Sequence, residues 1–164
     1  MLKKIALFGL GLLGNCLLAQ MEVVFMEVKD QQGKPVVLEA DFPYAHVALF
    51  RDGRYLHAHP KTGVAWATEE EIITWGEPRV RVFLGDKIIR IPEEWLGRGY
   101  DSGFSWDNER FYCSELVAKI LGISPEPMHF DPDLWPPSFE KLEGLPGISP
   151  GKIYKKVTEG LFSF

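Results

Sequence analysis

The side chains of this 164-residue chain best suited to chemistry are Cys113 and four histidines, His46, His57, His59 and His129. Hydrolysis by a cysteine needs a thiolate near neutral pH, a base that takes or holds its proton, and a group that orients the base. Cys113 stands three and four positions before Leu116 and Val117, with Ile120 and Leu121 one turn further on. It therefore opens the buried face of a predicted helix. A thiol near a helix N-terminus has its pKa lowered by the amide dipoles, and an adjacent imidazolium lowers it further. His46, His57 and His59 share one predicted β-hairpin, residues 45–50 and 55–59 around Asp52-Gly53. A two-residue turn there sets His59 opposite His46 and His57 opposite Ala48. Side chains alternate along a strand, so all three imidazoles project from one face. The same set also suits zinc, with three histidines and Cys113 completing four ligands. A cysteine on an apolar helix face is also an ordinary core residue, and a strand histidine an ordinary hydrogen-bonded one. Spacing alone leaves these readings open.

The elements that would position these groups fit one domain. The chain is 46% apolar and 13% aromatic, enough for one real core and too little for two. It carries 18 basic and 23 acidic residues. An acidic chain with no basic stripe is a poor partner for nucleic acid. Lys3 and Lys4 precede an apolar run over residues 5–19, broken only by glycines and Asn15. The run is short for a bilayer span and reads as a secretory signal, residues 1–20, with Leu17-Leu18-Ala19 before the cut. Residues 21–164 are then a single hydrolase domain, periplasmic or secreted, with no transmembrane span left. Acylation of Cys16 would make a lipoprotein, but Asn15 stands where a small residue is expected. Removal of the signal leaves Cys113 as the sole thiol, in a compartment where cysteines otherwise pair.

Along that domain, residues 22–28 read as a first strand, Gly33-Lys34-Pro35 as a turn and residues 36–38 as a short second strand. Thr68 and Glu71 resemble a capping box opening a short helix to about Trp75, stopped by Gly76 and Pro78. Residues 79–84 alternate as a strand, and residues 87–91 continue the sheet. A short helix follows over residues 92–96, with Pro92 in its first turn. Residues 97–106 form a Gly- and aromatic-rich loop, and the Cys113 helix ends at Gly122. A Pro-rich loop wraps the domain to Pro150, and residues 152–157 are expected to form a last strand. The order is that of an α+β domain with an antiparallel sheet and the nucleophile on a helix packed against it.

Ala45-His46-Val47-Ala48-Leu49-Phe50 with Leu56-His57-Ala58 resembles the "HVGIY … iHA" hairpin of NlpC-type cell-wall peptidases. Tyr112-Cys113-Ser114-Glu115-Leu116-Val117 resembles the "YCSELV" signature of the YiiX/YebB-like branch. That branch is a circularly permuted papain-like fold, related to the lecithin:retinol acyltransferase group, in which the His hairpin precedes the Cys helix. This chain has that order. Tyr100-Asp101, Phe104 and Trp106-Asp107-Asn108 resemble the family's approach to its cysteine, and Gly63-Val64 matches the "GV" after the hairpin.

The resemblance implies a papain-like site with Cys113 as nucleophile, His46 as base and His57 in the orienting third position. It implies an exported amidase or peptidase with no metal or organic cofactor, acting on cell-wall peptides or on N-acyl, lipid-like amides. The alternatives are a zinc-dependent hydrolase using Cys113 and the hairpin histidines, and an inactive binding domain of the same fold. Tyr112, Trp106 and Phe104 are the expected substrate-binding residues. Family hairpins set the two histidines twelve residues apart, here eleven; the shorter turn keeps His57 opposite Ala48. His59, the alternative third residue, adjoins Pro60 where the strand ends. The base is expected to offer its Nδ1–H to that third residue. Ala48 stands where the family has Gly, and its methyl group is expected to face and narrow the site.

Overall fold

The computed structural model describes residues 20–85 and 89–162. The expected signal segment therefore lies outside the described residues except for Gln20, as does part of the strand expected at 87–91. Residues 89–91 are not a strand. Five antiparallel strands form the main sheet: β1 (Glu22–Glu27), β2 (His46–Arg51), β3 (Arg54–His59), β4 (Gly63–Ala67) and β5 (Glu77–Phe83). Their order across the sheet is β4-β3-β2-β1-β5. Three helices, α1 (Glu69–Ile72), α2 (Cys113–Ile120) and α3 (Pro150–Thr158), complete an α+β architecture, with a two-stranded ribbon of β6 (Glu126–Pro127) and β7 (Pro146–Gly147). Among the described residues no helix is long and apolar enough to cross a membrane.

Central β1 is apolar on both faces because both faces are covered. Val23 and Phe25 join the larger core with Val47, Leu49, Leu56 and Ala58 from the hairpin, Leu116 and Val117 from α2, and Ile153 and Val157 from α3. Val24 and Met26 meet Ala48, Tyr55, Ala67 and Ile72 in a smaller core on the opposite face. Full burial of each such Val, Leu or Phe side chain contributes about 1.5–3 kcal/mol. Ala48 is thus packed inside the second core, and the methyl group that Gly would lack does not narrow the site.

The capping box is formed: Thr68 Oγ1 accepts from Glu71 N, and Glu71 Oε2 accepts from Thr68 N at 2.7 Å. Its short helix ends at Ile72, three residues before the expected Trp75. Residues 36–38 make no strand; residues 29 and 35 form an isolated bridge instead. The short helix expected at 92–96 is a single 3-10 turn, Glu93–Trp95. Residues 152–157 are helical, not the expected strand. Ser149 caps α3 by accepting from Lys152 N, Pro150 occupies its first turn, and Ile153 and Val157 stand one turn apart on the core side. Glu39 adds an anion at that helix start, accepting from Ser149 Oγ and Gly151 N at 2.8 Å each.

β4 was legible only as Gly63-Val64. It pairs along the whole of β3, from Tyr55–Ala67 to His59–Gly63. Its other edge is tied down by Val64 N to Arg98 O and Gly97 N to Val64 O, both 2.8 Å. Gly63 has φ 66°, and a Cβ there would collide with the Arg98 carbonyl. Glycine is thus required where the loop leading to the cysteine crosses the sheet edge.

Candidate active site

The hairpin turn has the expected two-residue register, pairing Arg51 with Arg54, Phe50 with Tyr55 and Leu49 with Leu56. There the β2–β3 ladder stops, although β2 stays paired to β1 as far as His46 and β3 stays paired to β4 as far as His59. The expected cross-strand pairs His46–His59 and Ala48–His57 are not part of the ladder. The two strands are unpaired at their histidine end, and α2, which begins at Cys113, packs across both. The amides of Val47, Ser114 and Cys113 itself, with the Ser114 side chain, lie close enough to Cys113 to favour its thiolate. The thiol is therefore near Val47, the residue after His46.

His46 Nε2 and His57 Nδ1 are 3.1 Å apart. His57 is buried beneath, 1% exposed, with its ring centroid 5.3 Å from that of His46. The His59 ring lies 6.3 Å from His46 and packs on Trp75. His57 rather than His59 is thus the ring bonded to His46. The contact uses Nε2, not the expected Nδ1–H, and leaves Nδ1 of His46 free of the third residue.

Burial sets the protonation states. His46 is held down at about 3, chiefly by desolvation and then by His57 and His59. His57 and His59 are each lowered to about 4, again chiefly by burial. Burial pushes the Cys113 thiol up, against the opposing pull of the Val47, Ser114 and Cys113 amides and the Ser114 side chain. The sequence-based expectation of a lowered thiol pKa is therefore reversed. A neutral thiol faces a neutral imidazole because desolvation outweighs the amide dipoles at this buried position. Alkylation of Cys113 by iodoacetamide is accordingly expected to be slow at pH 6 and to rise about tenfold per pH unit through pH 8. A fast plateau below pH 7 would reveal a resting thiolate–imidazolium pair instead.

Cys113, His46 and His59 line a cleft of about 960 Å³, together with the expected substrate-binding residues Phe104 and Tyr112. Trp106 does not line it; its ring lies against the larger core beneath Lys119, 5.0 Å from Nζ. His57 is outside the lining and acts on the cleft only through His46. His129 lies at the rim, exposed, with Nδ1 2.8 Å from Glu143, whose carboxylate raises its pKa.

The loop before α2 is built to present its aromatic residues. Asp101, 6% exposed, accepts from Gly103 N, Ser105 N and Asn108 Nδ2 at 2.7–2.8 Å. These bonds hold Phe104 at φ 52°, a left-handed conformation unfavourable for a bulky residue. Tyr112 Oη accepts from Ile148 N, and Ser114 Oγ donates to Ile148 O at 2.7 Å, fixing the helix start against residues 147–149. Glu115, 0% exposed, reaches back to Tyr112 N and pairs with Lys119 at 2.8 Å.

Two contributors escaped residue-by-residue reading. Tyr100 lines the cleft within electrostatic reach of Cys113, and its hydroxyl has no partner among the described residues. Its only sequence signal was the Tyr-Asp pair thirteen residues before the cysteine. The Val47 amide carried no side-chain signal at all. Among the described residues no group of three or more His, Cys, Asp or Glu side chains converges as a metal-ligand set. His46 and His57 direct nitrogens at each other, which does not fit the zinc arrangement.

No protein-family model and no solved structure matches this chain. Over 87 residues, 53% of the chain, it is 31% identical to the uncharacterized protein YiiX of Escherichia coli strain K12. The match covers 38% of that relative, so the chain spans well under half its length. The chain is similar to YiiX in sequence over about half its own length.

Proposed function

We propose that this chain is an exported cysteine hydrolase of the NlpC-type, circularly permuted papain-like superfamily, cleaving an amide or ester through a Cys113 acyl-enzyme. The observation that carries the reading is that Cys113 and His46 share one cleft while His46 Nε2 is bonded to His57. In this mechanism His46 carries its proton on Nε2 and donates it to His57 Nδ1, so His46 Nδ1 is the base. His57 stays a neutral acceptor because burial keeps its pKa low. As Sγ attacks the carbonyl carbon, the thiol proton passes to His46 Nδ1 and the C–S bond forms. The oxyanion accepts from the Cys113 amide at the first turn of α2 and from the Tyr100 hydroxyl. The C–N or C–O bond then breaks as His46 returns the proton to the leaving group. Water, losing its proton to His46, next attacks the thioester, and the acid leaves as Sγ is reprotonated. These steps use no metal or organic cofactor.

The cleft walls favour an N-acyl, lipid-like amide or ester over a cell-wall peptide. Val28, Val36, Leu38, Phe42, Met128 and Phe130 line it. Nearby amides are already paired: Val36 N with Val28 O, Met128 N with Leu145 O, and Ile148 N with Tyr112 Oη. That apolar stretch suits an acyl chain, which needs no hydrogen-bond partner there, although Glu39, Asp41, Glu126, Lys152 and Lys155 also line the cleft. The test is turnover of N-acyl amides and of peptidoglycan fragments by wild type and Cys113→Ala. Cys113-dependent cleavage of the acyl amides is expected. Cleavage of neither class would leave an inactive binding domain of the same fold.

Tyr100→Phe is expected to lower kcat about 100-fold with little change in KM, since the donor acts on charge that develops only in the transition state. Measured turnover within threefold of wild type would remove Tyr100 from the oxyanion site.

A further inference from the structure

His59 is the hairpin histidine to which the proposed mechanism gives no task. It ends β3 and lines the cleft beside His46, Pro60 and Trp75. Lys61 N–H donates to His59 Nδ1 at 3.2 Å. That nitrogen must therefore carry a lone pair, and the ring proton sits on Nε2. The ring is packed between Trp75 and His57, with the His57 centroid 5.9 Å away at 28°. Its titratable neighbours are the neutral His46 and His57 rings on the hairpin, and Lys61 on the turn that follows is charged; burial first, then His57 and Lys61, disfavour protonation. Nε2–H has no acceptor among the described residues. The result is a neutral N–H donor, fixed in orientation by Lys61 N and by the flanking rings, on a residue that lines the cleft.

We propose that His59 Nε2–H binds an uncharged acceptor oxygen, a carbonyl or hydroxyl, on the leaving-group side of the substrate and so sets leaving-group specificity. This rests on the hydrolase reading of the same cleft. The leaving group must emerge beside His46, which protonates it, and the His59 ring stands 6.3 Å from the His46 ring in the same cleft. A fixed donor left unpaired by a substrate lacking the acceptor costs that substrate binding in every state, so the discrimination falls on KM. His59 is then a specificity residue and not a third member of the catalytic set.

The experiment compares two substrates with the same acyl chain, one releasing glycinamide and the other propylamine. Wild type is expected to favour the glycinamide compound about tenfold in kcat/KM, mostly through KM. His59→Leu should erase that preference, and His59→Gln, which keeps a donor, should restore part of it. A second measurement is independent of turnover: ring 15N spectra of Cys113→Ala protein should show the Nε2–H form of His59 from pH 5.5 to 8. The Nε2 resonance should shift on adding glycinamide and not propylamine. An Nδ1–H form, or an unchanged preference in His59→Leu with Cys113-dependent cleavage intact, overturns the assignment and leaves the hydrolase reading standing. A glycinamide-specific shift without cleavage of either compound overturns the hydrolase reading and keeps His59 as the donor. Neither shift nor cleavage overturns both.

Discussion

Replacing His46 by Gln is expected to lower kcat/KM by about 10³-fold, and replacing Cys113 by Ala to abolish turnover. Positioned acid–base groups contribute about 10²–10⁴-fold, and this site stands in the upper half of that range for a stated reason. Burial raises the thiol pKa and depresses that of His46, so little thiolate is present at neutral pH before substrate binds. In the proposed mechanism Sγ attacks only as His46 takes its proton, and the leaving group departs only as His46 gives it back. One side chain therefore serves both barriers. Gln is preferred to Ala as the replacement because it fills part of the buried space and can still meet His57 Nδ1. Two controls isolate chemistry from folding. The thermal midpoint should fall only slightly, and iodoacetamide should still alkylate Cys113 above pH 9, where the thiolate forms without a base. A variant within tenfold of wild type would mean that another group moves the proton.

Local signals carried the hairpin, the Cys113 helix and the capping box. Asp52-Gly53 fixes the turn register, and the spacing of Leu116, Val117, Ile120 and Leu121 fixes the buried face of α2. Residues 152–157 were misread because their β-prone Ile, Tyr and Val outweighed the Ser149-Pro150 start signal and the four-residue step from Ile153 to Val157. The site itself depends on what no local pattern encodes. Extending the hairpin register to its open end assumes that a ladder once begun continues, and here it ends at Leu49–Leu56. That break falls where α2, a segment more than sixty residues later in the chain, packs across both strands. Ala48 and Trp106 failed as site residues for a related reason. Which side of the sheet faces the cleft depends on how both faces are covered, and for Trp106 the deciding contact is Lys119, thirteen residues on. The pKa reversal at Cys113 has the same origin: helix position is legible, but depth of burial is not.

Stability is expected to fall as pH drops from 7.5 to 5, well above the usual range of acid unfolding. The three clustered histidines have folded pKa values of about 3, 4 and 4, below the ordinary 6.5. A group depressed on folding contributes stability above its unfolded pKa and loses it as pH falls toward the folded value. Near pH 5.5 each unfolded imidazole binds most of a proton that the folded ring refuses. Glu115 acts oppositely: burial raises it to about 7, so the folded state holds a proton there that the unfolded state releases above about 4.5. Counting the two deeply buried rings, His46 and His57, against Glu115 leaves roughly one proton, or about 1.4 kcal/mol per pH unit. His59, partly exposed, adds less than a full proton to that slope. Over 1.5 pH units the loss reaches about 2 kcal/mol, a sizeable share of an ordinary domain's 5–15 kcal/mol. Urea midpoints at pH 7.5, 6.5, 5.5 and 5 would measure it. The double variant His46→Asn, His57→Gln removes both rings and leaves Glu115, so its stability should change little or rise slightly over the same interval. A wild-type midpoint that is flat from pH 7.5 to 5, or a double variant as acid-sensitive as wild type, would show that these rings are not buried neutral in the folded protein.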